Sequence, residues 1–317
     1  MKKLLLLCGV LFCAVLQAQP GAWPNKPVKF VNSFPVGGPS DILARAVGEV
    51  LQKQFNQPFV VENKAGAAGN LGADFVAKAP ADGYTVLWGI DTTLTVNPHI
   101  YKNMSFKPSD LKPLVIISSN GLMVGASNKS GFKTLKDLIA AGKVKNLNFS
   151  SGGSGSPGHL AVEVFTDAAN VKITHVPYKG NSPAVLAIVS GEVDGGVLSS
   201  SGLLPQVKAG SITALAVTSR QRSKLAPDVA TVAELGLKEL ESEVLTVALV
   251  PANTPEPVLQ AMQKAVLEAL VKPELQSRIT SMDMAYEGLT GAAASKRFSD
   301  LSERYGRVIK ATGMKVE

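Results

Sequence analysis

Short β-rich apolar runs and stretches of helical spacing alternate along this chain. The runs VKFV (Val28 to Val31), FVVE (Phe59 to Glu62), YTVLWGI (Tyr84 to Ile90), LVIIS (Leu114 to Ser118), ITHV (Ile173 to Val176), ITALAVT (Ile212 to Thr218) and VLTVALV (Val244 to Val250) have the length and β-branched content of buried strands. Helical spacing predicts helices over Ser40 to Phe55, Leu71 to Ala79, Pro157 to Ala169, Ser182 to Val189 and Pro255 to Val271, several opening on Pro or Ser. In the first of these, Leu43, Ala46, Val47, Val50 and Leu51 fall at i, i+3, i+4, i+7 and i+8, the spacing of one buried stripe. Such alternation is the signature of α/β layers with mainly parallel sheets, and a chain of this length divides naturally into two lobes. LVIISSNGLMVGAS reads as a strand pair about Ser118 to Gly121, and VLTVALVPANTP lies far downstream. Two such segments carry the chain out of one lobe and back, so the expected division is 19–121 with 242–317 for a discontinuous first lobe and 122–241 for the second.

Two glycine-rich corners stand out against this pattern. SFPVGGPSD, Ser33 to Asp41, joins the first strand to the first helix, and NFSSGGSGSPGHLA, Asn148 to Ala161, leads into a helix carrying Leu160, Val164, Phe165 and Ala168 on one side. A helix start presents unpaired N–H groups and a partial positive charge, and the serines at 150, 151, 154 and 156 add hydroxyls. Each corner suits an anion; each is equally a tight turn that holds nothing. Asp91 and Thr92 follow the strand YTVLWGI, where α/β proteins gather ligands, but an Asp there can also cap the next turn. Tyr178 and Lys179 in VPYKG carry the same ambiguity.

The N-terminal MKKLLLLCGVLFCAVLQAQ has two lysines, an apolar stretch from Leu4 to Leu16 and a small residue, Ala18: a secretory signal, cut after Ala18. Neither cysteine has the small preceding residue of a lipoprotein signal, since Cys8 follows Leu7 and Cys13 follows Phe12. Both fall in the removed segment, so the mature chain has no disulfide and relies on its core, a composition that suits the periplasm. Loss of Lys2 and Lys3 lowers the net charge from +7 to +5. With no Lys/Arg run or aromatic-flanked basic block, nucleic-acid binding is not expected.

Catalytic readings are weaker. GGSGS, Gly152 to Ser156, departs from the G-x-S-x-G elbow because Ser156 takes the last glycine position, and His159 and His175 are the nearby bases without an identified acid partner. A serine hydrolase using Ser154 or Ser156 is the minority alternative. His99, His159 and His175 show no metal-ligand spacing, and no metal or cofactor is expected. NKAGAAGNLG, Asn63 to Gly72, spaces its glycines G-x-x-G-x-x-G and lacks a Walker lysine, so a structural turn is the better reading. Glu239, Glu241 and Glu243 read as a solvated face.

The stretches WPNKPVKFVNSFPVGGPSD, VVENKAGAAGNLGADFVAKAPADGYTVL, NPHIYKNMSF, SGGSGSPGHLA, ITHVPYKGNSPAVLAIVSGEVD, KAGSITALAVTSRQRS and VPANTPEPV, in this order, resemble the substrate-binding proteins of tripartite tricarboxylate transporters, the Bug receptors. The resemblance covers nearly the whole mature chain. It implies a monomeric periplasmic receptor of Venus-flytrap (type II) architecture, two α/β lobes that close on a small carboxylate and deliver it to the membrane subunits of the transporter. It implies a carboxylate held at Phe34, Pro35, Val36, Gly37 and Gly38, with Asp91 and Thr92 nearby, while the second lobe contributes Ser151, Ser154, Gly155, Ser156 and Tyr178. Two departures matter. FPVGG stands where the family commonly has two prolines, and GGVLSSSG replaces the usual Asp or Asn after GEVD, leaving Ser199, Ser200 and Ser201 beside the site. The absent acid or amide points away from an amino-acid ligand and toward a dicarboxylate or aromatic carboxylate. A receptor that reports to a sensor kinase is the alternative role.

Overall fold

The computed structural model describes residues 23–315; the expected signal segment and its cysteines lie outside the described residues. The chain runs β1 (Val28–Asn32), α1 (Pro39–Phe55), β2 (Phe59–Asn63), α2 (Asn70–Ala77), β3 (Thr85–Ile90), α3 (Thr92–Thr95), α4 (Asn97–Ile100), β4 (Leu111–Ser127), α5 (Leu135–Val144), β5 (Leu147–Ser151) and α6 (Pro157–Ala169). It continues through β6 (Ile173–Pro177), α7 (Asn181–Ser190), β7 (Gly195–Ser199), α8 (Ser200–Lys208), β8 (Ile212–Val217), β9 (Glu243–Pro251), α9 (Glu256–Leu270), α10 (Pro273–Ser281), β10 (Ala285–Leu289) and α11 (Gly291–Thr312). The expected strand pair about Ser118 to Gly121 is one uninterrupted strand of 17 residues. Its sequence is apolar on both sides of a polar middle because it serves two sheets in succession.

From Leu111 to Gly121, β4 pairs antiparallel with β9; from Leu122 to Ser127 it pairs antiparallel with β7 and, on its other edge, β8. β1 lies parallel to β2 and β3, and β3 is antiparallel to β9. In the other half, β5 is parallel to both β6 and β7. These senses fix the architecture. β1 and β3 run in the direction of β4, so their carboxyl ends point toward the second sheet; β5 and β7 run against β4, so theirs point back toward the first. Ile90, the last residue of β3, is level with Thr246 and through it with Ser118, whereas Ser199, the last of β7, is level with Leu122. Four residues of strand therefore separate the two levels, about 13 Å.

The α1 stripe is buried as its spacing requires, with Leu43, Ala46, Val47, Val50 and Leu51 against Phe30, Phe59 and Trp88. Helix α6 is apolar over a wider arc because it faces two ways. Ala161, Val162 and Phe165 pack with Phe149 and Val197 in the second lobe, while Leu160 and Val164 enter a cluster with Phe298, Leu301 and Tyr305 of α11.

Several elements lie outside the sequence expectation. β7 opens on Gly195 and Gly196, poor strand formers, yet a Cβ at Gly196 would lie 2.5 Å from Ser150 Oγ and one at Gly195 2.6 Å from the Gly125 carbonyl, so only glycine lets the strands approach. Glu243 is not solvated: its side chain is 8% exposed, ion-paired to Arg297 and approached by Arg220 Nε at 3.5 Å. The outer acids of that alternation follow the expectation better, with Glu239 exposed and Glu241 half-buried.

The crossover leaves no room at Gly121, where a Cβ would stand 2.5 Å from both the backbone nitrogen and the Cβ of Ser219. Gly121→Ala should lower the unfolding free energy by about 1–3 kcal/mol in urea denaturation; unchanged stability would contradict so close an approach.

Candidate functional site

The parallel strands deliver three loops to the facing edge of the first lobe: 33–38 after β1, 64–69 after β2 and 91–95 after β3. In the first loop the Phe34 carbonyl accepts from Asn32 Nδ2 at 2.8 Å and Asn63 Nδ2 at 3.2 Å, and Ser40 Oγ donates to Asn32 Oδ1 at 2.8 Å. The buried Asp41 carboxylate accepts from the Gly37 amide at 2.9 Å, from Asn63 Nδ2 at 2.9 Å and from both Nε and an Nη of Arg45. Burial pushes its carboxyl up, but the Arg45, Gly37 and Asn63 hydrogen bonds outweigh burial and hold it below the usual range. The corner thus supplies one anion of its own, and the Gly37 amide is already engaged. Among the described residues, the amides of Val36, Ser40 and Asp41 have no protein acceptor, and Val36 is 72% exposed at the tip.

The second loop is held more tightly than its glycine spacing suggests. Ala67 and Ala68 both adopt left-handed φ, 47° and 51°, and the Ala68 carbonyl accepts from Thr93 Oγ1 and from Asn97 Nδ2. Gly69 abuts the Phe34 ring, so the three loops meet.

Asp91 is a structural tie rather than the cap of the next turn, since its side chain makes no capping bond to α3. It is fully buried, with Oδ1 accepting from the Leu245 amide at 2.8 Å and Oδ2 from Thr95 Oγ1 at 3.1 Å. Burial pushes its carboxyl up to about 7. Its side chain ties the end of β3 to β9 and is not offered to the cleft, whereas the adjacent Thr92 hydroxyl has no partner among the described residues.

In the second lobe the loops after β5, β6 and β7 face the first. Ser151 is buried, its Oγ in contact with His175 Nε2, and Ser156 caps α6 by accepting from the His159 amide at 3.2 Å. The Gly155 amide donates to His159 Nδ1 at 3.1 Å. Ser154 is exposed at the apex, with neither its amide nor its hydroxyl engaged by the described residues. Tyr178 Oη donates to Glu192 at 2.7 Å, its ring packs with the α7 and α8 cluster, and burial first, then Glu192, pushes its hydroxyl up to about 12. Its polar end is therefore engaged away from the corner. Ser199 Oγ accepts from Asn181 Nδ2 at 2.8 Å, and Ser200 is buried at the start of α8.

The hydrolase alternative gains nothing from this geometry. The serine that meets a histidine is the buried Ser151, not Ser154 or Ser156, and Glu163, the acid present, bonds the other histidine, His159 Nε2 at 3.3 Å. The framing residues Asp41, Asn63, Asn97 and Glu163 were not singled out in the sequence; Asp41 at the third position of α1 and the His159/Glu163 spacing of four were the available signals.

Residues 43–314 match the model of the tripartite tricarboxylate transporter family receptor. The chain belongs to that family. A UPF0065 protein of Agrobacterium vitis is 33% identical over 97% of this chain and 90% of its own length, and BugT of Bordetella pertussis is 30% identical over 100% and 99%. Among solved structures, Rpa4515 of R. palustris with adipate is 28% identical, with a TM-score of 0.80 over 93% of this chain and 100% of its own. MatC of Rhodopseudomonas palustris with bound malate is 25% identical, with a TM-score of 0.74 over 90% and 100%. The periplasmic binding protein BugD matches at a TM-score of 0.76 and 27% identity over 93% of this chain and 100% of its own. The fold is accordingly the two-lobed α/β architecture of periplasmic solute-binding receptors of the Bug family.

A carboxyl raised to about 7 in the folded chain, from 3.8 when exposed, makes the folded state bind more protons than the unfolded between those values. Stability owed to Asp91 is thus present below about pH 4 and lost as pH rises to 7. Asp91→Asn should gain stability relative to the parent across that window in paired urea denaturations; a pH-independent difference would contradict the buried, protonated carboxyl.

Proposed function

We propose that this chain is an exported periplasmic receptor that captures a small carboxylate between its lobes and delivers it to the membrane subunits of a tripartite tricarboxylate transporter. The observation that carries the reading is the pair of opposed loop clusters, borne on strand ends that face each other along β4, each offering unengaged amides: Val36, Ser40 and Asp41 on one side, Ser154 on the other. The lobes are taken as 19–121 with 242–317 and 122–241, joined through β4 and β9, and the mature chain as beginning after Ala18.

The likenesses to an adipate-bound and a malate-bound receptor support a dicarboxylate. One carboxylate would sit at the 34–38 corner with Thr92, held by backbone donors; the other end would meet Ser154, Gly155 and Ser156 with Ser199 and Ser200. Phe34, Pro35, Val36, Gly37 and Gly38 act through backbone shape. Asp91, Ser151 and Tyr178 act from behind, since their polar atoms are engaged within the protein. Closing replaces the hydration of the carboxylate with fixed donors, and the membrane partner recognises the closed state through the affinity difference between states. Turnover is not part of this reading.

Thermal unfolding of the mature chain against adipate, malate, tricarboxylates, aromatic acids and amino acids tests it. A ligand at one hundred times its dissociation constant should add about 2.7 kcal/mol of stability, and the response should be confined to one carboxylate class. No response to any carboxylate would overturn the reading. Gly38 has φ −73°, open to any residue, and a Cβ there would stand 3.4 Å from the Pro35 carbonyl. Gly38→Val should therefore weaken the responding carboxylate at least tenfold in calorimetric titration with little loss of melting temperature; equal affinity in the folded variant would remove the first corner from the site.

A further inference from the structure

Behind the second corner lies a buried network that the capture of a carboxylate does not by itself require. The rings of His159 and His175 stack face to face, centroids 3.8 Å apart and planes 8° from parallel. One amide of the corner meets a ring directly, and a second reaches the other ring through Ser151. Gly155 N–H donates directly to His159 Nδ1, and His159 Nε2 lies 3.3 Å from Glu163. That pattern needs the proton of His159 on Nε2 and a bare Nδ1. Gly153 N–H donates to Ser151 Oγ at 3.2 Å, and Ser156 Oγ approaches the same oxygen at 3.4 Å. The Ser151 hydroxyl also lies 3.2 Å from the Gly153 carbonyl, to which it can donate, so His175 Nε2 meets that oxygen as donor or acceptor according to its tautomer. Two histidines therefore read the two glycine amides that flank Ser154.

We propose that His159 and His175 are positioning residues for the second corner, turning the Gly153 and Gly155 amides inward so that Ser154 faces the cleft, and that His159 does so only as a neutral imidazole. The inference rests on the carboxylate-capture reading for its functional consequence but not for its geometry. Protonating His159 on Nδ1 sets N–H against N–H at Gly155. A second charge 3.8 Å from the first, where a buried ring stacks on a half-buried one, is disfavoured.

The titratable groups facing the pair are few. Helix α6 contributes His159 itself and Glu163, β6 contributes His175, and β5, β7 and α7 contribute only serine, asparagine, proline, glycine and apolar side chains. Helix α11 meets α6 through Leu160 and Val164. Burial, then His159, pushes His175 down to about 4, against the opposing pull of Glu163. Below its unfolded value of 6.5 the unfolded chain binds more protons than the folded one, so this contribution to stability is full near neutrality and is lost as pH falls from about 6.5 to 4.

Amide exchange and imidazole nitrogen shifts, followed by NMR on the ligand-free mature chain, test the positioning without reference to any ligand. His159→Phe keeps a stacked ring without an acceptor and should speed Gly155 exchange at least tenfold; His159→Asn returns an acceptor near Nδ1 and should bring it within threefold of the parent. On acidification, the Gly155 resonance should move together with the His159 imidazole. Unchanged Gly155 exchange in a folded His159→Phe variant, or a Gly155 amide that titrates independently of that imidazole, would overturn the proposal. Adipate titration supplies the functional arm: affinity should fall at least tenfold in His159→Phe and recover in His159→Asn. Equal adipate affinity in the Phe variant despite loosened exchange would also overturn it, whereas failure of the parent itself to bind any carboxylate counts against the capture reading alone.

Discussion

The antiparallel pairing of β4 with β9 is the constraint on which the rest of the molecule depends. Because β9 separates β3 from β4, the parallel strands of the first lobe run with β4; because β7 pairs antiparallel to β4 beyond Gly121, those of the second lobe run against it. Two sheets whose strand ends would otherwise point anywhere are made to face each other. The polar middle of β4, Ser118 to Gly121, sits in the span between the two levels, and Gly121 admits the close passage of Ser219. Around that crossing the buried acids are anchored: Asp91 on the Leu245 amide, and Glu243 between Arg297 and Arg220. Burying such groups is tolerable only because their partners are fixed by the same strands.

The two corners hold their shape by engaging most of their own donors. Helix starts carry donors that something must accept. In the first corner Asp41 and the Asn32/Asn63 pair take up part of that capacity and fix the Phe34 carbonyl; in the second, His159 and the Ser151/His175 pair do the same with neutral acceptors. What remains unengaged is small and specific. A corner frozen in this way binds without having to order itself, which saves side-chain and loop entropy on capture. The choice of a carboxylate in one corner and imidazoles in the other means that acid acts on them differently. The Asp41 carboxyl is held low and keeps its charge to lower pH than an exposed acid, so its contribution is lost only as pH falls below the usual carboxylate range; His175 responds at higher pH.

Much of this was legible from residue order. The α1 stripe, the principal strands and both glycine corners follow directly from spacing, and the ordered motifs identified the family. What escaped had physical causes. β7 carries two glycines that propensity disfavours and that packing demands. Helix α11, with Ala294, Phe298, Leu301, Tyr305 and Ile309 buried, was readable as an amphipathic stripe but is so charged between those positions that its mean hydropathy hides it. At the site, chain order could show that Asp91, Ser151 and Tyr178 lie near the loops, but not which way their polar atoms are turned; that depended on Leu245, His175 and Glu192, all distant in sequence. The Glu239, Glu241, Glu243 alternation looked uniformly solvated until α11 brought Arg297 to Glu243.

The central claim is that one small carboxylate is held simultaneously by both loop clusters. Amide chemical-shift mapping of the isotopically labelled mature chain, titrated with adipate, addresses it most directly. The account requires the amides of Val36, Ser40 and Asp41 and that of Ser154 to respond together along a single binding curve. Shifts confined to one lobe, or centred away from both corners, would contradict it.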